Sequence, residues 1–484
     1  MTQDIDRFIQ LAKRFSLIDH FGELPPAPPW GDSPTLGAVL DAIASGAPAL
    51  PSLYMDGYVL PLVDPPYHRP LSRILLNSSS QEIEAITGAV YQHASASEVQ
   101  QPLQRFLAVI SNLYRSFLSK DKRIPLQIPL TSTVPPLAVF QSSGESGPFT
   151  LPCDETQALF GSTIGVVSLP STLHDHPVLW SSLAHETGGH DVTHADPNLL
   201  PELARGVRTL FSTEALPASL LNVNPQEVLS SLDPASLTSP LSEAQTYGLL
   251  WSYWIDESTA DIYGLLNIGP TFAVNLAAYF AAIRYRASHG LIPLPQLATS
   301  SSESVVIDAH PTDILRLHLA IGAIRTLSGL APTERDNYIA LLEEIAARVA
   351  PQETPVDVTI QGFIPISAQT FVYLNLTKPL AEIKITAQSV GAYLATAQLA
   401  ALAGHSIQDI ETWDDADESK AQLISATLQQ QASVVDMGDD AQLLAGATLA
   451  LFAQPASYDV VTELLARALD RSYALDPIWN SPQM

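Results

Sequence analysis

A single cysteine, Cys153, stands in a chain of 484 residues. An intramolecular disulfide is therefore excluded, and so is any zinc site built from several thiolates. A bound metal must be held by His, Asp or Glu. Basic residues are also scarce: 23 Lys and Arg face 50 Asp and Glu, a formal net charge of −27. That balance repels phosphate backbones and anionic lipid, which argues against nucleic-acid and membrane-surface partners. No glycine-rich phosphate loop occurs. The longest apolar runs, Ile268 to Ile283 and Val390 to Ala403, are broken by Pro270, Asn275 and Gln398 and are too short for a bilayer-spanning helix. The Met1 to Ser16 stretch carries Asp4, Asp6, Arg7, Lys13 and Arg14 where a secretory signal would be apolar, so a cytoplasmic location is expected.

What is present is ample apolar material, 46% of residues, enough for a large core and two or three subdomains. Residues 1–124 read as an N-terminal helical region: "DIDRFIQLAKRF", "SPTLGAVLDAIAS" and a periodic stretch from Ser80 to Leu118, separated by the proline-rich connectors "GELPPAPPWGDSP" and "LPLVDPPYHRP". From Ile124 to Pro170 the pattern changes to short β-branched runs, "PLQIPLTS", "PLAVFQ", "PFTLPC" and "STIGVVSLP", which predict a small sheet. Helical periodicity returns over 177–193, 199–211, 242–266, 271–288 and 312–327. Residues 125–347 thus form the expected catalytic core. After a boundary at "RVAPQETPVDV", residues 348–484 read as a mixed, mainly helical region with strand-like runs "VDVTIQGFIPI" and "EIKITAQ". The acidic run "ETWDDADESK" reads as a solvated loop or helix start. The fold class expected is α+β, predominantly helical.

The chemistry concentrates in "AHETGGHDVTHAD", residues 184–196. On a regular helix, residues at i and i+4 lie about 40° apart in projection, but His185 and His190 are at i and i+5, about 140° apart. A π-type bulge adds one residue to the turn and returns both rings to one face. Gly188 and Gly189 lie inside that turn, where distortion is cheap and where glycine would otherwise weaken a helix by about 1 kcal/mol each. The sequence therefore predicts a widened turn at Thr187 to Gly189. Glu186 is then placed to take a proton from water held by the metal. A third ligand is expected from "YWIDESTADIYGLL", residues 253–266, where Glu257 and Asp261 share a helix face and Asp256 adjoins them. One carboxylate there would bind metal while another orients a histidine through its free ring N–H.

"HETGGH" has the form H-E-x-x-G-H and resembles the zinc motif of the dipeptidyl peptidase III family of gluzincin metallopeptidases. "DESTAD", residues 256–261, is similar to the E-E-x-x-A-E/D motif that this family carries downstream, with Asp256 in place of the first glutamate. The resemblance covers these two motifs only. It implies a zincin-like core with two metal-binding helices, Zn2+ held by His185, His190 and Glu257, Glu186 as general base, and Asp256 and Asp261 as partners of the ligands. A peptide or protein substrate follows from it.

Other residues can be placed around such a site. An electrophile for the oxyanion is sought in "DAHPTDILRLHLA", where His310 and Arg316 are the candidates, with Tyr253 and Tyr263 as further hydrogen-bond donors. His194 and Asp196 are expected to cap the helix or orient a ligand, and His174 and His176 to shape a loop at the entrance. "STIGVVSLP" is expected as an exposed edge strand facing substrate. Alternatives stay open: His190 and His194, a regular i, i+4 pair, could chelate metal on an undistorted helix; His190 and Asp191 could form the metal dyad of an HD-type phosphohydrolase, with His174, His176 and an aspartate such as Asp261 as its further ligands; or the metal could serve a non-catalytic zinc-binding protein.

Overall fold

A computed structural model describes residues 2–17, 100–117, 136–141, 148–160, 165–215, 241–287, 307–349, 357–367 and 370–476. The segments "SPTLGAVLDAIAS" and "PLQIPLTS", both proline-rich connectors and the first part of the Ser80 to Leu118 stretch lie outside the described residues. The N-terminal helices are α1 (Thr2–Ser16) and α2 (Gln100–Ser116), and a small sheet follows with β1 (Leu137–Gln141), β2 (Phe149–Leu151), α3 (Cys153–Phe160) and β3 (Val166–Pro170). Next come a π-helix (Ala184–Asp191), α4 (Leu199–Phe211), α5 (Glu243–Tyr253), α6 (Ile255–Ile268), α7 (Thr271–Ala287), α8 (Asp313–Ile324) and α9 (Pro332–Val349). The chain continues with β4 (Asp357–Ser367), β5 (Thr370–Pro379), α10 (Leu380–Thr396), α11 (Ile407–Ile410), α12 (Asp415–Gln429), α13 (Asp440–Ala453) and α14 (Tyr458–Leu475). The fold is α+β and predominantly helical. Among the described residues no helix is long and apolar enough to cross a membrane.

Helical periodicity translates directly into burial. In α1, Ile5, Phe8, Leu11, Ala12 and Phe15 recur at three- and four-residue steps and are all buried, packing the helix on α7. Helix α2 buries Leu103, Phe106, Leu107, Ile110, Leu113 and Phe117 against β1, the π-helix and α14. One apolar core runs from Ile5 to Leu469. The acidic run at 411–420 opens α12, where Asp414 caps the backbone N–H groups of Ala416 and Asp417 and Asp417 bonds back to Asp414.

Three expectations are corrected. "EIKITAQ" is not a strand but the first half of α10, because the residues that bury are Ile383, Ala387, Val390 and Leu394, at helical steps, while Ile385 is exposed. The partner of β4 is β5, an antiparallel strand from Asp357↔Pro379 to Ser367↔Thr370. The stretch 242–266 is two helices broken at Trp254. There the indole N–H donates to the Asp308 carbonyl at 2.9 Å and the neighbouring Tyr253 hydroxyl to the Ile307 carbonyl at 2.7 Å. A buried and a partly buried side chain thus spend their donors on a loop, which the helical pattern could not reveal.

The sheet order is β1-β3-β2, with β3 parallel to β1 and antiparallel to β2. The strand of "STIGVVSLP" is therefore the central one, fully buried, rather than an exposed edge. Strand β2 occupies the edge and carries the sheet to the site.

Candidate metal centre

The 177–193 stretch is not one α-helix. A short 3-10 turn at Pro177–Leu179 leads into the π-helix over Ala184–Asp191, so the helix is widened throughout the "HETGGH" segment, around the turn at Thr187 to Gly189. Its glycines serve packing as well as distortion. A Cβ on Gly189 would sit 2.5 Å from the Cα and Cβ of Ala260, and one on Gly264 would sit 3.1 Å from the backbone at Ala184 and His185. The π-helix and α6 therefore touch backbone to backbone, which brings Asp256, Glu257 and Asp261 under the two histidines.

His185 and His190 now face each other with their Nε2 atoms 3.2 Å apart. On the far side of each ring, Nδ1 lies 3.0 Å from a carboxylate: Asp261 for His185 and Asp256 for His190. A carboxylate accepts only, so each Nδ1 carries a proton, which leaves the two Nε2 atoms turned toward each other. Glu257 closes the triangle, with Oε2 at 3.2 Å from His185 Nε2 and Oε1 at 3.7 Å from His190 Nε2. Two ring nitrogens and a carboxylate placed this close call for a positive charge among them, either a proton on a ring or a bound metal ion.

The distances suit a metal ion. With metal–nitrogen bonds of about 2.05 Å, nitrogens at this separation subtend an angle of about 100°, close to tetrahedral. His185, His190 and Glu257 form one group of side chains that could hold an ion. The charges show the same demand for a cation. Burial by itself would lower the affinity of the His185 ring for a proton, but its hydrogen bonds to Asp261 and Glu257 and their charges outweigh that and raise its pKa to about 10. Burial works against ionising Glu257 too, yet the hydrogen bond and charges from His185 and His190 hold its carboxyl well below the usual range.

A second group, His190, His194 and Asp256, also lies close enough for an ion. Its contacts are already complete hydrogen bonds: Asp256 gives one oxygen to His190 Nδ1 and the other to His194 Nε2, each at 3.0 Å. His194 Nδ1 meets Asp154 at 3.1 Å. With carboxylates on both ring nitrogens, His194 is an imidazolium. Burial opposes the charge, but Asp154 and Asp256 raise its pKa to about 10. It fixes Asp256, which fixes His190. The first group is the one in which two ring nitrogens and a carboxylate converge.

Beneath the site, Arg316 holds Asp261 with two hydrogen bonds of 2.7 Å and lies over the Phe280 ring. Arg316 is buried and does not line the cleft, so it orients the His185 partner rather than meeting a substrate. Tyr253, committed to Ile307, and Tyr263, buried in stacking contact with Phe117, are likewise away from the cleft. His310 is at its mouth, half-exposed, with Nε2 3.2 Å from Glu257 Oε1 and Nδ1 2.8 Å from Asp308. The anchors from Tyr253 and Trp254 hold this segment in place. Asp196 caps a turn through the Asn198 N–H, and His174 and His176 bond to Ser171 with Asp175 and to Tyr458 respectively, outside the cleft. Asp191 turns away from His190: it is buried against the backbone of Gly165, with one carboxylate oxygen unpartnered, and burial raises its pKa well above the usual carboxylate range.

A cleft of about 320 Å³ opens over the group, lined by β2, Glu155, the histidines, Glu186, Asp256, Glu257 and His310. Glu186 is buried in its wall and accepts a hydrogen bond of 2.7 Å from Thr150 of β2. Thr150, Asp154 and Asp308 are the residues that sequence reasoning missed. Each lies far in sequence from the motifs, or carries a side chain too common to signal a role. No protein-family model, curated protein or solved structure matches this chain.

Proposed function

We propose that this protein is a zinc-dependent metallohydrolase with a zincin-like core, acting on peptide bonds. The observation that carries the reading is the convergence of the His185 and His190 Nε2 atoms with Glu257, with a second carboxylate, Glu186, in the same cleft. Two imidazoles and one carboxylate are a donor set that suits zinc. An ion held by them would supply Lewis acidity to a substrate carbonyl and to water.

The chain's own residues do the rest. Glu186 takes the proton of the attacking water and returns it to the departing amine nitrogen. His310, at the rim, lies where it can contact the oxygen that becomes negative. Asp256 and Asp261 keep both ligand rings in the tautomer that offers Nε2. The phosphohydrolase alternative needs His190 and Asp191 on one ion, and nothing in the placement of Asp191 supports it.

Metal analysis of the purified protein and cleavage of an internally quenched peptide library test the proposal. About one zinc per chain is expected. Glu186→Gln retains that zinc and loses hydrolysis by more than a hundredfold, since the ligands are untouched and the base is gone. Full activity in that variant would remove Glu186 from the mechanism, and a zinc-loaded wild type that cleaves no peptide would leave a non-catalytic metal site.

A further inference from the structure

We propose that Thr150 is a positioning residue for the base, holding the Glu186 carboxylate with one oxygen bound and the other turned to the reacting water; this rests on the peptidase reading above. A glutamate on a helix has three rotatable side-chain bonds, and no other side-chain hydrogen bond restrains this one among the described residues. Thr150 Oγ1 donates to Glu186 Oε2 at 2.7 Å, and both residues are buried. The donor is itself fixed twice. Thr150 pairs with Val167 in the sheet, and a β-branched side chain on a strand has restricted χ1.

A hydroxyl presented this way occupies one carboxylate oxygen and sets the plane of the group, so only Oε1 remains to accept a proton. The same strand lines the cleft through Phe149 and Thr150, flanked by Pro148 and Pro152. Substrate lying along β2 is therefore registered against the base by a single element. Misplacing a reacting group by about 1 Å can reduce a rate about a hundredfold, which makes this contact a determinant of turnover more than of binding.

The experiment compares the zinc-loaded wild type with Thr150→Val and Thr150→Ser. Thr150→Val keeps the shape of the side chain and removes the donor, while Thr150→Ser keeps the donor. On a quenched peptide from the library, Thr150→Val is expected to retain one zinc, keep KM within about twofold and lower kcat about tenfold to a hundredfold, as for a hydrogen bond to a charged group. Thr150→Ser is expected to stay within about threefold of wild type. Unchanged kcat in Thr150→Val, or equal impairment in both variants, would overturn the proposal. Crystal structures of the three zinc-loaded proteins provide an arm that needs no activity: the Glu186 carboxylate rotates in Thr150→Val and stays in Thr150→Ser. If the wild type cleaves no peptide, the peptidase reading falls, and a Glu186 carboxylate unmoved in Thr150→Val still refutes the positioning role.

Discussion

Replacing Gly189 with alanine tests whether the metal group depends on backbone contact between the π-helix and α6. The added Cβ would lie 2.5 Å from the Cα and Cβ of Ala260 and 3.0 Å from its carbonyl oxygen. Carbon atoms pack at about 3.5–4.0 Å, so the two helices must separate by about 1 Å locally. Neither clashing carbon is at the end of a flexible side chain, and the strain is expected to cost about 1–3 kcal/mol, partly offset by the better helix propensity of alanine, about 1 kcal/mol. Metal ligands tolerate displacements of only about 0.2 Å, and Glu257 lies less than one turn from Ala260 on α6. Zinc affinity should therefore fall by at least about tenfold. Competition with a chromophoric chelator measures it. Gly188→Ala is the control, because its Cβ meets side chains alone, the edge of the Phe117 ring at 3.0 Å and Asn267 Cγ at 3.7 Å, and a side chain can shift more easily than a backbone. If Gly189→Ala binds zinc as tightly as wild type while Gly188→Ala does not, the account of the helix contact is wrong.

Other expectations follow from the same contacts. His185→Ala should abolish stoichiometric zinc, whereas His194→Ala, which removes the hydrogen bonds to Asp154 and to Asp256 but no ligand, should weaken zinc about tenfold; equal losses by metal analysis would point to the His190–His194 pair instead. Arg316→Met leaves Asp261 buried without its cation and should destabilise the fold by about 3–5 kcal/mol in denaturant titration; a change below 1 kcal/mol would refute that pairing as the support of Asp261. Far from the site, Asp440 is buried with neither carboxylate oxygen hydrogen-bonded within normal geometry, although the Ser472 hydroxyl is near. Burial, reinforced by Asp439 and Asp476 and opposed by Arg115, raises its pKa from 3.8 to about 7. The folded state then keeps a proton that the unfolded chain has lost, so stability declines as pH rises from about 4 to 7. Asp440→Asn should flatten that decline and unfold at a higher temperature than wild type at pH 8; identical pH profiles would count against it.

Much of the fold was legible because periodicity and burial agree: α1, α4 and α7 lie where their apolar repeats place them. The failures have local causes. In "EIKITAQ" alternating isoleucines imitate a strand, and only the longer series from Ile383 to Leu394 shows the helical face. At Trp254 the helix breaks where side chains bond to a segment over 50 residues away.

The sequence alone determined which side chains are available to a metal ion. One cysteine ruled out thiolate sites, the i, i+5 histidines required a π turn, and the acidic residues at 256, 257 and 261 supplied the matching face, because helix geometry converts spacing into direction. Only the tertiary structure decided the rest. Backbone contact at Gly189 and Gly264 set which carboxylate faces the two Nε2 atoms and which two hold the rings. It also put Arg316 behind the site, His310 at its rim and Thr150 on the base. Those assignments depend on distances between segments far apart in the chain, and no spacing within one segment encodes them.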